Sequence, residues 1–125
     1  MKLALIIDPG FTTALKKLMG EQLPLKTAYK LKGIAEKVQA ENNKYDELRI
    51  AALNNYGSKD AEGKFVMTET GSVDLQGDNL TNFLNELNQL LSIDVPLDSI
   101  SINDLGDKLK LSADELFLLS DILKG

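Results

Sequence analysis

The feature of the sequence that most constrains the fold is a long helical stretch from Pro24 to about Tyr56. Its apolar residues recur at helical spacing, with a polar interruption at Glu41 and Asn42. This apolar seam comprises Leu31, Ile34, Val38, Tyr45, Leu48 and Ala52. A helix of this length must lay its seam on the rest of this small chain or on another copy of it. We favour the seam as an interface, which indicates a structural or interaction role more than an enzyme.

Three shorter helices are expected around the long one. The first runs from Thr12 to Met19 and the second begins after Asp78. The apolar face of the second comprises Leu80, Phe83, Leu84, Leu87 and Leu91. The last helix begins at Ser112, because Ser112 and Glu115 have the spacing of a capping box. Its residues expected to face the core are Leu116, Leu119, Ile122 and Leu123.

The remaining patterned segments predict a few short strands. Leu3 to Ile7 is a short apolar run that precedes a turn and is typical of a buried strand. Lys64–Glu69 and Ser72–Gln76 are expected to form a hairpin, and the segments around Ile93 and Ile100 are expected to be extended. The expected fold is therefore α+β, with one long helix plus three shorter helices packed with a few short strands including a hairpin. A chain of 125 residues predicts a single domain over residues 1–125.

Composition limits the chemistry that the chain can support. There is no cysteine and no histidine, which excludes disulfides, thiolate metal sites and the usual general base near neutral pH. The longest apolar run is too short to cross a bilayer and lacks the features of a secretory signal. We expect an intracellular protein with no catalytic residues, no cofactor and no bound metal.

Charge is unevenly spread along the chain. Residues 1–50 hold nine Lys/Arg against six Asp/Glu, a balance of +3, and residues 51–125 hold five against thirteen, a balance of −8. A basic stripe at Lys26, Lys30, Lys37 and Lys44 could follow a phosphate backbone. The pI near 4.7 argues against nucleic acid. We favour the interpretation that the stripe is a solvated helix face, or that the basic part of one copy pairs with the acidic part of another.

Three groups of carboxylates are candidates for a functional site. Ser58–Glu69 has the oxygen and glycine spacing of a calcium-binding EF-hand loop, but it begins with serine and no second helix follows, so a turn is favoured. Asp8 precedes Pro9 and Gly10, which favours a turn or cap over a magnesium or catalytic role. The pairs Asp104 with Asp107 and Asp114 with Glu115 lie at expected helix starts, where capping explains them.

Most of the chain resembles a family of small uncharacterised proteins of tailed bacteriophages and prophages. The resemblance lies in LPLKTAYKLKGIAEKVQAENNKYDELRIAALNNYG (23–57), FLNELNQLLSIDVPL (83–97) and LGDKLKLSADELFLLSDIL (105–123). It implies a phage origin and a short accessory protein, located in the host cell cytoplasm or the virion. It implies no activity and no site residues, because the family has no assigned function.

The expected function is therefore a non-enzymatic role through protein–protein contact, first as a virion-associated or assembly accessory protein. The expected partners are a second copy of the chain and another phage or host protein, with no membrane. The alternative is an early host-takeover or anti-defence inhibitor that binds and blocks a host protein, for which acidic character is suited. A carboxylate-and-metal enzyme built around Asp8 is a third hypothesis.

Overall fold

The computed structural model describes residues 1–105 and 110–124 as a helix-dominated α+β fold. The helices are α1 (Leu3–Ile6), α2 (Pro9–Met19), α3 (Leu25–Tyr56), α4 (Gly77–Leu91) and α5 (Ala113–Leu118), with a 3-10 turn at Ile102–Leu105. The strands are β1 (Ile100–Ser101) and β2 (Leu123–Lys124). The chain divides into two compact units, Met1–Asn42 with Ile93–Gly125, and Asn43–Ser92. The single domain over residues 1–125 stays a prediction.

The long helix predicted from the apolar seam is confirmed as α3, which covers 32 residues. It begins directly after Pro24, whose carbonyl accepts a hydrogen bond from the Ala28 N–H at 2.9 Å. Proline suits this place because the first N–H groups of a helix have no partner within it. Residues 25–42 of α3 belong to the first unit and residues 43–56 to the second.

The first unit holds nearly all of the core. Helix α2 packs against α1 and α5, and β1 pairs with β2 in parallel, with Ile100 opposite Leu123. Its buried apolar side chains are Leu3, Ile6, Phe11, Ala14, Leu15, Leu18, Leu31, Ile34, Val38, Val95, Ile100, Leu105, Leu119, Ile122 and Leu123. These residues come from both ends of the chain, so the unit closes only when residues 93–124 return to the N-terminal helices.

The strand predicted at Leu3–Ile7 is wrong, because this run forms α1. The buried residues are Leu3 and Ile6, three positions apart, whereas Ala4 and Leu5 are exposed. Leucine and alanine are good helix formers, and a short apolar run alone does not separate a strand from a buried helical turn. Extended pairing occurs one residue earlier, where Lys2 forms an antiparallel bridge with Asp94.

The predicted hairpin of Lys64–Glu69 and Ser72–Gln76 does not form as a pair of strands. Residues 59–73 contain isolated antiparallel bridges, Lys59 with Phe65 and Met67 with Val73, whereas the two strands among the described residues are parallel. Met67 is exposed and Val73 is only half-buried, so no continuous apolar face supports a longer ladder.

The capping box that predicted the last helix is present. The Ser112 hydroxyl accepts from the Glu115 N–H at 3.1 Å, and the Glu115 carboxylate accepts from the Ser112 N–H at 2.9 Å. The helix ends at Leu118, so the buried Leu119, Ile122 and Leu123 lie beyond its end. Leu116, which was expected to face the core, is partly exposed.

Candidate interaction surfaces

The six residues of the predicted interface seam on α3 fall into two groups. Leu31, Ile34 and Val38 are 2–4% exposed and belong to the core of the first unit. The other three lie in the second unit, where Leu48 is 47% exposed and Tyr45 and Ala52 are half-buried. Only the second group leaves apolar surface exposed to solvent.

An open cleft borders the N-terminal half of α3, and we call it the α3 cleft. It has a volume of about 440 Å³ and is lined by Tyr29, Lys30, Lys32, Gly33, Glu36 and Asp98. A smaller hollow of about 190 Å³ adjoins it through Gly33 and Asp98. The Lys37 ammonium donates to the Pro96 carbonyl and holds the 96–98 segment against the helix.

Gly33 is one of the residues that line this cleft. A Cβ built on Gly33 meets nothing within 4 Å, so no close packing inside the chain requires a glycine here. Gly57 differs, because a Cβ there would lie 2.7 Å from the Leu53 carbonyl oxygen and 2.7 Å from the Val73 side chain. The glycine in the middle of α3 is therefore not explained by the fold of the chain itself.

The second unit carries apolar residues that are not fully covered. Among its described residues only Phe83 is a buried apolar side chain, at 7% exposed. Leu80 and Leu84 on α4 are 40% and 48% exposed, and Leu87, one helical turn on, is half-buried. We call these three leucines the α4 stripe. They share one face of the helix, since they are spaced by four and three residues.

The α4 stripe lies in a strongly acidic part of the sequence. Between Lys64 and Lys108 there is no lysine or arginine, and there are eight Asp/Glu. Residues 43–92 hold four Lys/Arg against eight Asp/Glu, a balance of −4. On α4 itself Glu86 accepts a hydrogen bond from the Tyr56 hydroxyl at 3.0 Å, and this carboxylate raises the pKa of Tyr56.

One side of the α3 cleft is basic, whereas the sequence around the α4 stripe is acidic. Lys26, Lys30 and Lys32 lie in the first two turns of α3 and are exposed. No described residue forms an ion pair with any of these three lysines. Their ammonium groups are therefore available to a negatively charged partner.

The structure gives Asp8 and Glu115 structural partners. The Asp8 carboxylate caps α2 by accepting from the Gly10 N–H at 2.7 Å. Glu115 completes the capping box and forms an ion pair with Lys17 at 3.0 Å. The hydrogen bond from the Ser112 N–H, followed by the one from Lys17, holds the pKa of Glu115 below its usual range.

The other candidate carboxylates do not form a common site among the described residues. Asp104 lies in the 3-10 turn and Asp114 in the first turn of α5, whereas Asp107 lies outside the described residues. In the Ser58–Glu69 loop, the Asp60 carboxylate accepts from the N–H groups of Glu62 and Lys64 at 2.9 and 3.0 Å. Over residues 1–105 and 110–124, no three acidic side chains converge in a group that could hold a metal ion.

Sequence reasoning missed the α3 cleft and the exposure of the α4 stripe. The periodic leucines of α4 predict an apolar face, but periodicity does not report what covers that face. The long stretch without a basic residue was the signal in the sequence that sets α4 apart.

No protein-family model, curated protein or solved structure matches the chain. In the part of the chain that the structure describes, no helix combines the length and apolar character needed to cross a membrane.

Proposed function

We propose that this chain is a non-enzymatic bacteriophage protein that acts by protein–protein contact and associates with itself in a virion-assembly or virion-associated role. The proposal rests on the exposure of apolar side chains in the second unit. Among its described apolar residues this unit buries Phe83 alone, and it leaves Leu48, Leu80 and Leu84 partly exposed. Exposed apolar groups on neighbouring helical turns are typical of surfaces that bind another protein.

The phage setting is supported by the resemblance of residues 23–57, 83–97 and 105–123 to small phage and prophage proteins. These ranges include all of α3, nine of the fifteen residues of α4 and the capped α5. The resemblance supports a setting, and the surfaces described above support the mode of action.

Sedimentation velocity over a range of concentrations tests self-association. We expect species heavier than the 13.7 kDa chain at micromolar concentrations. A single species of monomer mass at every concentration would contradict the proposal. A time course of infection tests the assembly role, because an assembly protein is expected to be expressed late and to be recovered together with virion proteins.

The acidic stretch favours a second candidate function, an early inhibitor that blocks a host protein. Eight carboxylates without a basic residue between Lys64 and Lys108 suit a partner whose own surface is positive, such as a nucleic-acid-binding surface. Expression early in infection, with stoichiometric recovery of one host protein on the tagged chain, would favour this function over assembly.

A further inference from the structure

We propose that the second unit, Asn43–Ser92, opens as a cooperative unit of its own while the first unit stays folded. In this opening α4 unwinds completely, and α3 unwinds from its C-terminal end only as far back as Asn42, where the first unit ends. Opening takes place within a single copy of the chain, so it does not depend on the self-association proposed above.

The buried apolar side chains are divided very unequally between the two units. The structure describes every residue from 43 to 92, and Phe83 is the one apolar side chain in that range that is buried. All the other buried apolar side chains of the described residues lie in the first unit. Burial of apolar surface is the main term that offsets the entropy lost when a chain becomes ordered. The second unit therefore has much less to keep it closed than the first.

The segment between α3 and α4 adds little resistance to opening. Its backbone is joined by hydrogen bonds from the Ser58 N–H to the Asp74 carbonyl and from the Val66 N–H to the Ser58 carbonyl, both at 2.8 Å. Most residues from 58 to 76 are exposed, including Val66 and Met67, and both strands of the described chain lie in the first unit. Water can replace hydrogen bonds in such a setting at little cost, which is typical of segments that open locally.

Helix α3 has a weak point where the first unit ends. The apolar seam passes from Val38 directly to Tyr45, and the polar Glu41 and Asn42 lie between them. Asparagine is a poor helix former in a helix interior. The Asn42 side-chain amide donates to the Val38 carbonyl at 3.0 Å, a hydrogen bond made wholly within the first unit. Asn42 keeps this bond when α3 unwinds from residue 43 onward, so unwinding has a defined place to stop.

Separate opening gives the chain two folded forms. The first unit is closed in both, so the chain passes from one form to the other without unfolding as a whole. The second unit carries the partly exposed Leu48, Leu80 and Leu84. A partner that binds these leucines only in the closed form shifts the second unit towards closure.

Hydrogen exchange of the backbone amides, read residue by residue by NMR on the monomeric protein, tests the proposal. Amides of α4, and of α3 from Glu47 to Tyr56, should be at least about tenfold less protected than those of α2 and those of α3 from Leu31 to Val38. The expected result is a step in protection inside one continuous helix. Protection in α4 and along all of α3 equal to that in α2 would overturn the proposal.

The variant Phe83→Ala removes the buried side chain of the second unit. It should speed exchange in α4 at least about tenfold and leave exchange in α2 unchanged. A variant whose second unit unfolds outright would lose all protection in α4 and keep it in α2, which supports the proposal in the same way. Equal acceleration in α2 and α4 would overturn it.

The converse variant is Ile122→Val, which removes one carbon from the core of the first unit. It should speed exchange in α2 at least about twofold and leave α4 unchanged, because α4 exchanges through the opening of its own unit. Leu18→Ala, at another fully buried position of the first unit, is used if the loss of one carbon does not change exchange in α2. Acceleration in α4 by the same factor as in α2 would show that the units open together.

Sedimentation velocity on the same samples distinguishes this inference from the proposed function. A monomeric protein that shows the step in α3 contradicts self-association and leaves separate opening standing. A protein that associates and shows no step in the monomer leaves self-association standing and overturns separate opening.

Discussion

At the scale of single residues, Gly33 within α3 and Gly57 just after the end of α3 give opposite predictions. Gly33→Ala adds a methyl group where nothing lies within 4 Å, so it should raise the free energy of unfolding by about 0.5–1 kcal/mol. Gly57→Ala places a Cβ 2.7 Å from the Leu53 carbonyl oxygen, so it should lower that free energy by about 1–3 kcal/mol.

Urea denaturation followed by circular dichroism measures both effects, at a concentration where the wild type is monomeric. The two variants are controls for each other, because they make the same chemical change. A Gly57→Ala protein as stable as the wild type would show that the backbone after Tyr56 shifts freely, and the tight packing of Phe65 and Val73 around Gly57 argues against that.

Glu115 gives a prediction on pH. Its pKa is lowered in the folded chain by the Ser112 N–H and by Lys17, so its contribution to stability is complete above the usual glutamate pKa. That contribution is lost as the pH falls through the lowered folded value. Glu115→Gln should therefore destabilise the protein near neutral pH and reduce the loss of stability as the pH falls below the usual glutamate pKa.

Urea midpoints measured at several pH values check this prediction. Lys17→Met should produce part of the same effect, because it removes the second contributor to the lowered pKa and leaves the Ser112 hydrogen bond in place. An acid profile of Glu115→Gln that runs parallel to the wild type would show that the capping box does not depend on the charge of Glu115.

At the scale of elements, the apolar seam of α3 has a buried part, which includes Ile34, and a part-exposed part, which includes Leu48. Ile34→Asp buries an unpaired charge in the core of the first unit and should cost at least about 3 kcal/mol, enough to unfold a marginal domain. Leu48→Asp changes a half-exposed position, so it should leave the helix folded and weaken self-association only if that part of the seam is an interface. Circular dichroism and sedimentation velocity on the two variants separate the roles. An unfolded Leu48→Asp variant would show that Leu48 belongs to a core.

The elements that could be predicted from the sequence are those with their own local signals. The apolar seam and Pro24 predict α3, the leucines from Leu80 to Leu91 predict α4, and Ser112 with Glu115 predicts the start of α5. Each signal lies within the element that it predicts. Hydrogen bonds within a helix are local, so a local signal suffices.

The elements that could not be predicted depend on distant partners. Leu3–Ile6 satisfies its backbone as a helical turn, and the nearby extended pairing of Lys2 with Asp94 joins positions 92 residues apart. The parallel contact between β1 and β2 likewise needs residues 102–122 to return the chain to Ile100. The alternation around Ile100 predicts an extended segment, which β1 confirms, but it does not report the distant partner.

The candidate surfaces were predictable only in part for the same reason. The seam residues share a face of α3, and the periodicity showed that face. Whether Leu31 or Leu48 is covered depends on which segments fold over each one, and the periodicity of α3 does not report that. The cleft at Gly33 is an empty space, for which a one-dimensional pattern has no signal beyond the unusual glycine.

At the scale of the whole molecule, uneven charge predicts that self-association depends on salt. The chain places Lys26, Lys30 and Lys32 near the start of α3 and eight carboxylates in a stretch without any basic residue. Attraction between exposed charges of two copies is screened over about 10 Å in 0.1 M salt and about 3 Å in 1 M salt. A contact guided by these charges should therefore weaken about tenfold between those concentrations of sodium chloride.

Sedimentation equilibrium at several salt concentrations measures this, with the Lys30→Glu, Lys32→Glu variant expected to lose the dependence. An apolar contact without charge complementarity would keep its affinity or bind more tightly as salt rises, because it does not depend on attraction between charges. That result would contradict the charge argument and leave the exposed leucines of α4 as the attracting surface.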